Sequence, residues 1–254
     1  MTRLYRVGQI VPSSNTTMET EIPKFLNAYA AARGDVAFSF HSSRMRMKHV
    51  RKEELAAMDR DSHRCAAELA DAPIDVAAYA CLVAIMAMGK GYHRKSETAL
   101  AEIAAREGRA FPVITSAGAL VAELKHAGHG SVALLMPYGD ELARIVVDYI
   151  EAEDIAVRDY RNFSVIDNQE VGRIPGERLM GALDGLDTRG CDAVVLSCCV
   201  QMPSFQVLDD ARRVTGLPVT SAAECTSLSI LRSLSLEAAR APSNETDTRH
   251  GRAS

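Results

Sequence analysis

Eight short apolar runs, each followed by a longer segment of helical period, constrain the fold of this chain more than any other feature. Val- and Ile-rich runs without polar alternation are buried on both faces, and such strands belong to parallel sheets covered by helices. The strand candidates are Arg6–Val11, Val36–His41, Val76–Cys81, Val113–Thr115, Val132–Met136, Ala156–Asn162, Ala193–Cys198 and Val219–Ser221. Between them the periodicity predicts helices over Thr17–Ala31, Lys52–Ala70, Glu97–Arg109, Gly118–Ala127, Asp140–Ala152, Gly176–Gly185 and Phe205–Thr215. A last helix is expected from Ala223 to about Ala239, followed by a polar, aromatic-free tail expected to be disordered.

The strand series repeats itself. The first strand ends in Val11-Pro12 and the fifth in Met136-Pro137; the third ends at Cys81 and the seventh at Cys198-Cys199; the fourth reads PVITSA and the eighth PVTSA. Matched positions are offset by 125 (Pro12 to Pro137), 118 (Cys81 to Cys199) and 105 (Thr115 to Thr220), as in duplicated halves whose loops have diverged in length. The expected fold is therefore α/β, with two pseudo-symmetric parallel-sheet domains and the active site between them. In open parallel sheets ligands sit beyond the carboxyl ends of the strands. Packing the halves face to face would point Cys81 and one of Cys198 or Cys199 at a common cleft.

Composition narrows the partners. With 29 basic and 33 acidic residues intermixed and a net charge of -4, the chain carries no basic stripe for phosphates, so nucleic acid is not an expected partner. No apolar run approaches the ~20 residues of a membrane span, and the start runs straight into a strand pattern, so a cytoplasmic protein without a membrane partner is expected. Six cysteines would then stay reduced, and none forms a C-x-x-C pair. Gly89-Lys90-Gly91 is too short for a phosphate loop, so no cofactor and no metal are expected.

Two opposed thiols in one pocket suit proton transfer to opposite faces of a small molecule, or attack by one and protonation by the other. Alternation along a strand sends Cys198 and Cys199 to opposite faces, without deciding which meets the cleft. Cys65 and Cys191 read as packing, while Cys225 lies near a helix start, where the dipole could lower its pKa. In PSSNTTMETE, Thr16 and Glu19 have capping-box spacing, and the helix start, with Ser13, Ser14 and the Asn15 amide nearby, is a candidate anion site. Tyr138, in the equivalent turn of the second half, could donate to the same anion or cover the domain seam. Asn168 in DNQEVGRI is a turn residue by default or an amide aimed at the cleft. His41 and His93 are expected in surface or core roles.

The runs VPSSNTTMETEIP, ACLVAIMAMG and LSCCVQMPS resemble the maleate cis-trans isomerase family, cofactor-free members of the aspartate/glutamate racemase superfamily that also holds arylmalonate decarboxylase. The resemblance spans about Arg6 to Ala239, and the two cysteine motifs set the chain apart from arylmalonate decarboxylase, which keeps one. It implies Cys81 as nucleophile, Cys199 as proton donor, and Asn15, Tyr138 and Asn168 as holders of the carboxylates of a small dicarboxylate, maleate. Cys198 stands where relatives commonly have a small residue and receives no role. The implied reaction passes through a succinyl-cysteine adduct, in a homodimer associated with nicotinate degradation. The implied domains are residues 1–116 with 223–240 and residues 117–222, leaving 241–254 as the tail. Two other readings remain open: a two-cysteine racemase of an amino acid or hydantoin, and a non-catalytic carboxylate-binding protein.

Overall fold

In the computed structural model, residues 1–236 are described; the expected tail lies outside them, whereas the last helix, expected to reach about Ala239, ends within them at Ser233, where the chain turns at Leu234 and Ser235. The eight strands are β1 (Arg3–Pro12), β2 (Val36–Met45), β3 (Val76–Tyr79), β4 (Val113–Thr115), β5 (Ser131–Met136), β6 (Ala156–Asn162), β7 (Ala193–Ser197) and β8 (Val219–Ser221). They form two four-stranded parallel sheets, β2-β1-β3-β4 and β6-β5-β7-β8, the same order advanced by four strands. The central strands β3, β5 and β7 are buried at every position, which explains their unbroken apolar sequences.

On one face of the first sheet lie α2 (Lys52–Ala70) and α4 (Tyr92–Arg106); on the other lie α1 (Met18–Arg33) and α10 (Ala222–Ser233), which also packs on α5 (Ser116–His126). The second half carries α6 (Asp140–Glu151), α7 (Asn168–Gly172), α8 (Gly176–Leu183) and α9 (Leu208–Thr215). Two helices escape the sequence reading. The six-residue α3 (Leu82–Ala87) starts immediately after Cys81, and α7 starts at Asn168 itself. Both are single hydrophobic or polar turns too short to show a period.

Strands β3 and β7 also stop earlier than expected, at Tyr79 and Ser197, because the chain turns before each cysteine. No helix among the described residues is long and apolar enough to cross a membrane.

Candidate active site

Asn15, Cys81, Tyr138, Asn168 and Cys199 all line one cavity, together with Pro12, Met47, Val50, Val83, Val200 and Gln201. The carboxyl ends of β1, β3, β5 and β7 deliver four of the five, two from each half. Asn168 arrives on α7. Among the described residues no charged side chain lines the cavity, which offers about 10 Å³ of room for the centre of a water molecule, the space of about one water.

Cys81 sits at a strand-to-helix corner with φ 100° and ψ 73°, a left-handed conformation that costs a non-glycine residue on the order of 1–3 kcal/mol. The corner turns the thiol from the sheet edge into the cavity. Burial pushes this thiol up to about 12, the neighbouring Cys199 adds to the rise, and the Ala84 N–H alone opposes it. Cys199 is also raised by burial, but the Tyr138 hydroxyl and the Gln201 and Met202 N–H groups pull it back. The Tyr138 hydroxyl thus opposes burial at Cys199, and no side-chain group does so at Cys81.

Ser197 orders the Cys199 turn, its Oγ lying 2.8 Å from the carbonyls of both Cys199 and Met202. The buried Tyr138 hydroxyl donates to the Cys198 carbonyl at 3.0 Å while standing within reach of the Cys199 sulfur. Its single hydrogen can serve either acceptor. Cys198 is fully buried and absent from the cavity lining, so of the adjacent pair it is Cys199 that meets the cleft.

The first turn of α1 differs from expectation. Thr16 and Glu19 do not make a capping box: Thr17 is the N-cap residue without a side-chain cap, and Glu19 instead pairs with Arg44. The N–H groups of Thr16 and Thr17 donate to Oε1 of Gln201 at 3.2 and 3.3 Å, and Met18 N–H donates to Oδ1 of Asn15 at 3.0 Å. This helix start is thus filled by protein groups and is not an open anion site. With Oδ1 of Asn15 committed to the backbone, its NH₂ is the end left for the cavity.

Asn168 Nδ2 donates to Ser14 Oγ at 2.9 Å, joining α7 to the turn that carries Asn15. Arg44 holds the same turn by donating to the carbonyls of Ser13 and Asn15 at 3.0 and 3.1 Å. The sequence reading missed Gln201, which lines the cavity, and Arg44, which braces the turn behind it. Gln201 had a signal, being the one amide in a buried apolar run, and buried polar side chains hold partners.

The remaining candidates fall elsewhere. Burial, not the helix dipole, governs Cys225: its thiol is pushed well above the ordinary range, with Thr220 Oγ1 3.2 Å away. His93 packs on Tyr149 at the seam, and His41 is exposed on β2 beside Ser39. Among the described residues no cluster of three His, Cys, Asp or Glu side chains is placed to hold a metal ion.

Comparison with known proteins places this cavity in a family. Residues 7–245 match the arylmalonate decarboxylase family model. A maleate isomerase of Pseudomonas putida is 54% identical over 237 residues, covering 93% of this chain and 94% of that protein. The chain belongs to the maleate isomerase family of enzymes. A Geobacillus stearothermophilus maleate isomerase is 52% identical over 237 residues, covering 93% of this chain and 94% of that one.

Solved maleate isomerases superpose closely. The Iso enzyme of Pseudomonas putida S16, a cysteine-to-alanine variant with maleate, aligns with a TM-score of 0.92 at 49% identity over 94% of this chain and 95% of that one. A Nocardia farcinica maleate cis-trans isomerase, a cysteine-to-serine mutant with a covalently bound succinylcysteine intermediate, aligns with a TM-score of 0.88 at 48% identity over 92% and 94%. Unliganded arylmalonate decarboxylase shares the fold, with a TM-score of 0.66 at 17% identity over 94% of this chain and 96% of that one.

Proposed function

We propose that this chain converts maleate to fumarate without a cofactor, with Cys81 as nucleophile and Cys199 as proton donor. Rotation about a carbon-carbon double bond is prohibitive until the bond becomes single. The Cys81 thiolate adds to one alkene carbon, forming a C–S bond, while the π pair moves to the other carbon and takes the proton of Cys199. The resulting succinyl adduct rotates about its new single bond. Return of the proton to the Cys199 thiolate restores the double bond in the trans form and expels Cys81.

The observation that carries this reading is that Cys81 and Cys199, each just beyond an equivalent strand of the two halves, line one cavity together with Asn15, Tyr138 and Asn168. The pull of Tyr138 and the Gln201 and Met202 N–H groups against burial suits Cys199 as the residue that ends the addition step as thiolate. Burial keeps Cys81 raised, so its thiolate is strongly basic and nucleophilic, which suits the attacking group. Asn15 and Asn168 are neutral amide donors for the substrate carboxylates, and Tyr138 joins them only when its one hydrogen leaves the Cys198 carbonyl and the Cys199 sulfur, so the site orients a dianion without neutralising it. The relatives named for maleate, and the one with a succinylcysteine intermediate, support the same substrate and adduct.

The test is an ultraviolet assay for fumarate with reduced, chelator-dialysed protein, maleate and nothing else. Mass spectrometry of protein quenched during turnover should find a succinyl mass on the peptide holding Cys81. Folded, reduced protein that makes no fumarate would overturn the proposal, as would a turnover adduct on Cys199 alone. The same reading makes the protein a cytoplasmic homodimer serving nicotinate degradation, for which light scattering and growth of a deletion strain on nicotinate are the checks.

A further inference from the structure

Gln201 uses every hydrogen-bonding position of its side chain on protein groups. Oε1 accepts from the N–H groups of Thr16 and Thr17 at 3.2 and 3.3 Å. Nε2 donates to the carbonyls of Ser14 at 3.2 Å and Asn168 at 2.9 Å. A carboxamide has two acceptor lone pairs and two N–H bonds, and all four are spent. Its own carbonyl accepts from Thr17 Oγ1 at 2.8 Å. Although Gln201 lines the cavity, it has nothing left for a ligand.

What it joins is the point. The residue stands two positions after Cys199 in the second half, yet its amide ties together the turn bearing Asn15, the first turn of α1 and the residue Asn168. From these we infer that Gln201 is a positioning residue: it sets Asn15 and Asn168 at a fixed place relative to Cys199, across the seam between the halves. This inference rests on the isomerase reading above. Productive geometry is tight, and a displacement of about 1 Å can cost on the order of a hundredfold in rate.

Gly172, at the end of α7, provides an independent handle. A Cβ there would lie 2.5 Å from Nε2 of Gln201 and 3.1 Å from its Cδ, so the amide must move. Gly172 does not line the cavity. The three atoms nearest that Cβ all belong to Gln201.

The experiment is a double-mutant cycle on the full chain, with maleate as substrate and kcat and KM measured separately. Gln201→Leu and Gly172→Ala are each expected to lower kcat/KM about a hundredfold with a rise in KM, and the double variant should be no worse than Gln201→Leu alone. Gln201→Glu adds a test that a generic structural role would not pass. When protonated, its carboxyl can accept from Thr16 and Thr17 and donate to one carbonyl, so lowering the pH should restore its KM towards the parent's while the leucine variant stays impaired. Additive losses from Gly172→Ala and Gln201→Leu, or full kcat/KM in either single variant, would overturn the inference. Inactivity of the parent would instead overturn the isomerase reading, so the two failures are distinct. Circular dichroism and thermal melts on each variant confirm that a folded protein is being compared.

Discussion

Replacing Cys81 by glycine should cost about as much stability as replacing it by alanine, although an ordinary buried site favours alanine clearly. At an ordinary position, glycine loses roughly 0.5–1 kcal/mol to alanine through the greater freedom of its unfolded chain, and about 0.8 kcal/mol more for the missing methyl group. At φ 100° the alanine Cβ keeps the strain of the parent, on the order of 1–3 kcal/mol, and glycine removes it. Set against about 1.3–1.8 kcal/mol of loss, that relief puts the glycine variant between about 0.8 kcal/mol less and about 1.7 kcal/mol more stable than alanine, near level at the middle of the range. For a chain of this size about 1 kcal/mol moves Tm by roughly 2–4 °C. Scanning calorimetry of the two variants, both lacking the thiol, therefore compares backbone strain with little else changed. A glycine variant melting several degrees below the alanine variant would refute the strained corner and with it the explanation of how the thiol reaches the cavity.

Other outcomes follow from the same geometry. Cys81→Ala and Cys199→Ala should each abolish fumarate formation, whereas Cys198→Ala should retain most of it, since Cys198 lies outside the cavity; substantial turnover by either of the first two contradicts the roles. Tyr138→Phe removes a donor from the Cys199 anion, so the pH at which Cys199 becomes alkylated should shift upward while that of Cys81 moves less; an unchanged Cys199 profile counts against the tyrosine. Across the seam, the Arg94 guanidinium, with Lys125, holds the Glu153 carboxyl down at about 2. A carboxyl lowered in the folded state stabilises above the unfolded range near 4.3 and loses that contribution as pH falls through about 2. Urea midpoints measured between about pH 4.5 and 2 should thus fall more steeply in the parent than in Glu153→Gln, and parallel curves would exclude the ion pair as the cause.

Much of the architecture was legible in the chain because hydrophobic pattern is local. Strands β4, β6 and β8 and helix α2 have the bounds that the sequence predicts, and the Pro12/Pro137 and Cys81/Cys199 matches anticipate two sheets of identical strand order. What local pattern misread were the corners. The third and seventh runs stay apolar into Cys81 and Cys198, so periodicity continues the strands past the point where the chain turns.

The sequence by itself determined the paired sheets, the placement of a thiol after equivalent strands and the family resemblance, since burial preference and spacing act within a few residues. Only the tertiary structure decided that the α1 start is filled by Gln201, that Asn15 caps it, that Cys81 occupies a left-handed corner and that the cavity holds no charge. Those facts depend on which polar groups meet across the seam, as Thr17 and Gln201 do at a separation of 184 residues. A buried donor takes whatever acceptor folding brings to it, and its identity is written in no neighbouring residue.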